Sequence, residues 1–235
     1  MQEIIRLSDM WCKSWIKLIT VAVLVSACAS NQTFFPIESK ISPSEIERNF
    51  RDNKQREWEN SKQALNIPPS PENILGDGKT NCKELAGFLR EINPFIKDKF
   101  AEDFAKIYVE EAAIEGINHD VAFSQMCLET GFLSFGGLVT PEMNNYCGLG
   151  SISADETGIH FPSPRIGIRA QIQHLKVYAT DKPLNQKSVD PRGKFVRPGS
   201  AQTIYQLAGL WAEDKEYGRK LKVILDKLYL FSFGH

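Results

Sequence analysis

Between positions 98 and 115, apolar residues return every three or four positions: Phe100, Phe104, Ile107 with Tyr108, Ala112 and Ile114. Glu102, Lys106, Glu110 and Glu111 fall on the other side. This spacing predicts an amphipathic helix ended by Gly116. The next stretch, 121–129 (VAFSQMCLE), is short and apolar almost all round. A helix without a polar face belongs inside, so this is the expected buried centre, started by Asn118 or Asp120. A shorter helix is predicted over 81–91, interrupted by Asn93 and Pro94. Ser163 and Pro164 offer a cap and a first-turn proline for another, with Ile168, Ile172, Leu175 and Ala179 as its apolar line. Two closing helices are expected over 201–210 and 214–230; the second aligns Tyr217, Leu221, Ile224 with Leu225, and Leu228.

Two stretches break this rhythm. Residues 130–162 are rich in Gly, Thr and Ser, which predicts loops, at most a small hairpin, and one wall of a cleft. Residues 181–200 (DKPLNQKSVDPRGKFVRPGS) read as a long functional loop. The expected fold is mainly α (α+β): a helical domain over 80–235 with a small irregular β-like lobe after the central helix. Upstream, 28–79 reads as a tether. It holds a polar stretch at 29–41 and a charged, helix-prone stretch at 43–65 whose thin apolar stripe is Ile46, Phe50, Trp58 and Leu65. A Pro- and Gly-rich break follows, from Pro68 to Gly78.

The N-terminus is an address. Lys13 and Lys17 precede the apolar run 18–25, followed by Val25-Ser26-Ala27-Cys28. Positive residues, a short apolar core and small residues at a cleavage site describe an export signal over 1–27. The run is far below the ~20 residues that span a bilayer. A Cys directly after two small residues resembles the lipobox of bacterial lipoproteins, which implies acylation of Cys28. The mature protein is then expected on the periplasmic side of the envelope, held to the outer membrane by its lipid.

Composition removes several classes. A net charge of −1 leaves no global cationic field for nucleic acid. With 42% hydrophobic and 24% charged residues, most of the chain can fold. Of five cysteines, Cys82, Cys127 and Cys147 remain after Cys12 leaves with the signal and Cys28 takes lipid, so at most one disulfide forms within the chain. No CxxC or HxxxH spacing suggests zinc, and no glycine loop has phosphate-cradling form. No cofactor or metal is expected.

Glu129 carries the strongest chemical signal. It ends the most apolar helix and precedes Thr130-Gly131-Phe132. Burial and the negative end of the helix dipole both disfavour its ionised form. A carboxyl held protonated near neutral pH suits proton donation to a glycosidic oxygen.

Five segments extend this reading: 125–132 (QMCLETGF), 144–150 (NNYCGLG), 167–179 (GIRAQIQHLKVYA), 207–212 (LAGLWA) and 214–218 (DKEYG). In this order they resemble the glucosaminidase family of peptidoglycan hydrolases, over roughly 100–230. The resemblance implies a lysozyme-like fold and cleavage of the β-1,4 bond after N-acetylglucosamine in peptidoglycan glycan strands. It implies Glu129 as general acid, Asn144, Asn145, Tyr146 and Gly148 as substrate-binding groups, and Tyr217 near them. Cys147 stands where many members carry an aromatic.

A second catalytic carboxylate falls on Glu156, with Asp155 and Glu142 behind it, unless the substrate's own N-acetyl group serves. Other readings stay open at this level. Asn144 and Asn145 could be turn residues bonding their own backbone, and Tyr146 and Tyr217 core residues. Cys127 and Cys147 could form a disulfide, or a thiol could pair with His119, His160 or His174 in a peptidase or amidase. A lytic transglycosylase would use the same acid, and a non-catalytic glycan-binding lipoprotein would use none.

Overall fold

The computed structural model describes residues 48, 52, 54–60, 63, 65–153 and 156–234, with the backbone alone for 151–153, 156 and 157. The expected signal 1–27, Cys28 and Asp155 lie outside the described residues. Five long helices build the body: α1 (Cys82–Ile92), α2 (Asp98–Glu115), α3 (His119–Thr130), α4 (Pro164–Ala179) and α5 (Tyr217–Phe233). Local chemistry sets their ends. Asn81 caps α1 in a reciprocal box with Glu84. Asn118 caps α3, and Ser163 caps α4 ahead of Pro164. Gly116 and Gly131 end α2 and α3 in the left-handed conformation.

The central helix is α3, which touches each of the other four. Val121, Ala122, Phe123, Met126 and Cys127 are fully buried. Around them lie Phe104 and Tyr108 of α2, Ile168, Ile172 and Leu175 of α4, and Leu221, Leu225 and Leu228 of α5. Each large apolar side chain buried there contributes roughly 1.5–3 kcal/mol. The lobe between α3 and α4 holds a 3₁₀ turn, Pro141–Met143, and two short antiparallel strands, β1 (Ser151–Ser153) and β2 (Glu156–Thr157). The mainly helical fold with a small inserted lobe is the expected one.

Some expectations need correction. Residues 201–210 do not form a closing helix; only Ile204–Leu207 turns, as a 3₁₀ segment. The backbone there is engaged elsewhere: the Ile204 N–H donates to the Glu72 carbonyl and the Ile74 N–H to that of Gln202. Thus the end of the expected tether is woven into the body, with Ile74 fully buried. In the stretch 43–65, residues 48, 52, 54–60 and 63 are helical. On α2, the apolar Phe100 and Ile114 are 45% and 43% exposed, whereas Glu111 is 1% exposed. Arg165 and Arg169 of α4 cross over Glu111 and hold its carboxylate at 2.7–3.1 Å. Cys127 and Cys147 are buried and free, so the disulfide alternative is not realised.

Candidate active site

Glu129 stands on the last turn of α3 and is half-buried, so its carboxyl keeps an opening to solvent. Two donors from the C-terminal part of the chain converge on one of its oxygens. The Tyr217 hydroxyl donates to Oε1 at 2.5 Å and the Trp211 indole N–H at 3.0 Å. Burial pushes the Glu129 carboxyl above its ordinary range, and the two hydrogen bonds only partly offset that.

The direction of the Tyr217 proton follows from a buried chain of amides. The Tyr108 hydroxyl donates to Gln171 Oε1 at 2.7 Å. Gln171 spends both amide protons, on the Ala122 carbonyl and on Gln125 Oε1. The Gln125 amide must therefore turn its N–H toward Tyr217, where it donates at 3.0 Å. Tyr217 accepts from Gln125 and gives its own proton to Glu129. Gln125 and Gln171 are fully buried, which fixes this polarity in a low-dielectric interior. Oε1 is thus the acceptor oxygen, and a proton on the carboxyl rides on Oε2. Among the described residues Oε2 has no hydrogen-bond partner.

The segment 144–150 forms a hydrogen-bonded loop beside this acid. Asn145 is fully buried: its amide donates to the Leu149 and Ile159 carbonyls, and its oxygen accepts from the Leu149 N–H at 3.0 Å. Asn144 takes a left-handed conformation, donates to the Phe161 carbonyl, and accepts from the Tyr146 hydroxyl at 3.3 Å. Tyr146 packs edge-on against Phe104, and burial pushes its phenol up to about 12. Gly148 holds φ at +70°, which a side chain would strain. α4 seats the loop by close approach, because a Cβ on Gly167 would sit 1.7 Å from the Asn144 carbonyl oxygen.

A family model described as Glucosaminidase: Mannosyl-glycoprotein endo-beta-N-acetylglucosaminidase matches residues 105–230, from α2 through nearly all of α5. The chain belongs to the glucosaminidase family. It is a glycoside hydrolase of the endo-β-N-acetylglucosaminidase-like kind, acting on glycan. An uncharacterized protein of Borreliella burgdorferi is 43% identical to this glucosaminidase over 155 residues, covering 66% of this chain and 76% of the relative. No solved structure matches it.

Within the glucosaminidase, Glu129 and Tyr217 are in direct contact, and Tyr146 bonds Asn144. Asn145 spends its hydrogen-bonding capacity on the Leu149 and Ile159 backbone, and Asn144 donates to the Phe161 carbonyl. Trp211 and the amide pair Gln125–Gln171 belong to the site and were not singled out from sequence. The indole in the 207–212 segment was the available signal. Glu142 is exposed, and the Glu156 backbone lies in β2.

Neither buried thiol has nucleophile character. Burial raises Cys127 well above its ordinary range, and burial together with the nearby Glu129 charge does the same to Cys147. His119 bonds the Thr80 carbonyl and His174 bonds Asp190. Among the described residues no histidine is hydrogen-bonded to a cysteine, and no group of three or more His, Cys, Asp or Glu could hold a metal ion.

Proposed function

We propose that this glucosaminidase cuts peptidoglycan glycan strands at the β-1,4 bond after N-acetylglucosamine, with Glu129 as the general acid. The observation that carries the reading is the Glu129 carboxyl itself. It is raised in pKa by burial, pinned through Oε1 by Tyr217 and Trp211, and free at Oε2. Oε2 gives its proton to the leaving glycosidic oxygen as the C–O bond breaks. The carboxylate left behind is stabilised by the same two donors, which bond the anion more strongly than the acid. The oxocarbenium-like centre is supported by the substrate's N-acetyl oxygen or by the Glu156 carboxylate, and water completes hydrolysis. Asn144 and Gly148 form the wall against which the sugar rests, with Tyr146 packed behind it and Asn145 holding it in shape.

The Glu129→Gln variant tests this on purified wall. Lysis in gels and release of reducing N-acetylglucosamine ends should fall by several orders of magnitude while the fold is retained. Unchanged lysis would remove Glu129 from the chemistry. Anhydro sugar ends in the wild-type products would make the enzyme a lytic transglycosylase.

We also propose that the chain is exported, cleaved before Cys28 and lipidated there. The support is the run of Lys13, Lys17, the apolar segment and Ser26-Ala27-Cys28. Cys28→Ser should abolish labelling by radioactive fatty acid and release the protein from membranes. Retained label would place the lipid elsewhere.

A further inference from the structure

A concavity lies beside the candidate active site. It measures about 650 Å³ and is lined by Tyr178, Phe195 to Ser200, Gly209 and Leu210. This is within the range of small-ligand sites, roughly 300–1,000 Å³. It shares a wall with the acid. The Tyr178 ring lies 5.9 Å from that of Trp211, the tryptophan that donates to Glu129, and the Tyr178 hydroxyl bonds the Leu210 carbonyl.

The loop that forms this cavity is anchored from beneath by buried groups. Glu115 accepts the Asn185 and Gln186 N–H groups. Gln173 accepts the Val189 N–H, and Asp190 accepts the Arg192 N–H. The Gly199 N–H returns to the Val177 carbonyl and the Ala201 N–H to that of Tyr178. The cavity is thus shaped before any ligand arrives.

Its outer surface is cationic. The loop carries Lys182, Lys187, Arg192, Lys194 and Arg197 against Asp181 and Asp190, and Asp190 is turned inward to His174. Among the described residues none of the five cations is in an ion pair. Arg192 and Lys194 instead lie over the ring of Phe195, at 4.9 and 5.0 Å from its centroid. Phe195 is 68% exposed. Unpaired guanidinium and ammonium groups around an open aromatic ring recognise a ligand with carboxylates on a partly apolar frame. A bare N-acetylglucosamine polymer is neutral and has nothing to offer these charges. The peptide stems of peptidoglycan carry free carboxylates and branch from the same strand that the acid cuts.

We propose that this cavity binds the carboxylate-bearing peptide stem of the substrate strand, with Arg197, Lys194 and Arg192 as its charged contacts. The inference rests on the peptidoglycan reading above and adds to it: recognition reads peptide as well as sugar.

The test compares three probes: solubilised glycan strands with their stems, the same strands stripped of peptide by an amidase with the lactyl carboxyls so freed converted to amides, and stem-bearing strands whose carboxyls have been converted to amides. Wild type should show a KM about tenfold lower for intact strands than for the other two, with the gap narrowing in high salt. The Lys194→Ala/Arg197→Ala double variant changes only exposed side chains, and an unchanged melting temperature verifies its fold. It should raise KM about tenfold on intact strands and less than twofold on stripped ones. An equal loss on both, or no loss, overturns the proposal. If wild type cuts no strand, the hydrolase reading fails by itself. Co-sedimentation of the wild-type and double-variant proteins with intact and stripped strands then decides the cavity's role by the same contrast.

Discussion

At the scale of the residue, the proposed chemistry turns on how one carboxyl is held. Burial raises Glu129, and Tyr217 and Trp211 hold it down in part. Tyr217→Phe keeps the ring, which is 4% exposed, and removes the hydroxyl. The remaining carboxyl then ionises less readily, so the basic limb of the kcat/KM profile should move to higher pH. Loss of one donor to the charge that develops as the proton leaves should lower kcat on the order of a hundredfold. A pH–rate series on wild type and variant reads both, and a limb that moves to lower pH would contradict this assignment of roles. The burial of the Glu129 carboxyl was legible in sequence, because an acid ending a helix that is apolar almost all round is anomalous in any fold. The donors were less so. Trp211 and Tyr217 reach Glu129 across 82 and 88 residues, and no local pattern encodes that approach. Gln125 and Gln171 read as polar interruptions of apolar helices; only the fold shows them bonded to each other.

At the scale of the element, helices written by periodicity and caps were legible almost to the residue. The segment 98–115, closed by Gly116, is the plainest case. The helix expected over 201–210 failed because its sequence is short, bounded by Gly199 and Gly209 in left-handed conformations, and tied to Glu72 and Ile74 by backbone bonds. A nucleus of so few residues does not outweigh such partners. Glu111 was placed on a solvent face because pattern alone cannot foresee two arginines from α4 crossing above it. The same packing of α4 sets the loop beside Glu129. Gly167→Ala would drive a Cβ to 1.7 Å from the Asn144 carbonyl oxygen, an atom of backbone that cannot turn aside. The expected cost is about 1–3 kcal/mol in stability, with a parallel loss in kcat/KM as the 144–148 segment shifts. Denaturant melts and steady-state kinetics check the pair. Full activity with lowered stability would detach the loop from the site.

At the scale of the molecule, Glu111 and Glu115 pull the pH dependence of stability one way and Glu129 pulls it the other. Burial opposes ionisation of Glu111, yet hydrogen bonds from Arg169, Gln186 and Arg165 overcome it and bring the carboxyl down to about 2. Glu115 is lowered as well: burial opposes its ionisation, but the Asn185 N–H and Lys176 prevail. On acidification below the ordinary value of 4.5, the unfolded chain takes up the Glu111 proton first. The stability present above that pH is then lost progressively toward pH 2. Glu129 has the reverse sign. Its folded form holds the proton above 4.5, so stability falls as pH rises from 4.5 through its raised value. Glu111→Gln should therefore cost on the order of 3 kcal/mol at neutral pH and progressively less toward pH 2. Glu129→Gln should instead gain on wild type as pH climbs above 4.5, because the amide has no charge to bury. Melting temperatures of the three proteins from pH 2 to 8 give two difference curves whose changes fall on opposite sides of pH 4.5. Curves that ran parallel, or a Glu129→Gln protein that lost ground with rising pH, would mean that the fold does not hold this acid in its neutral form.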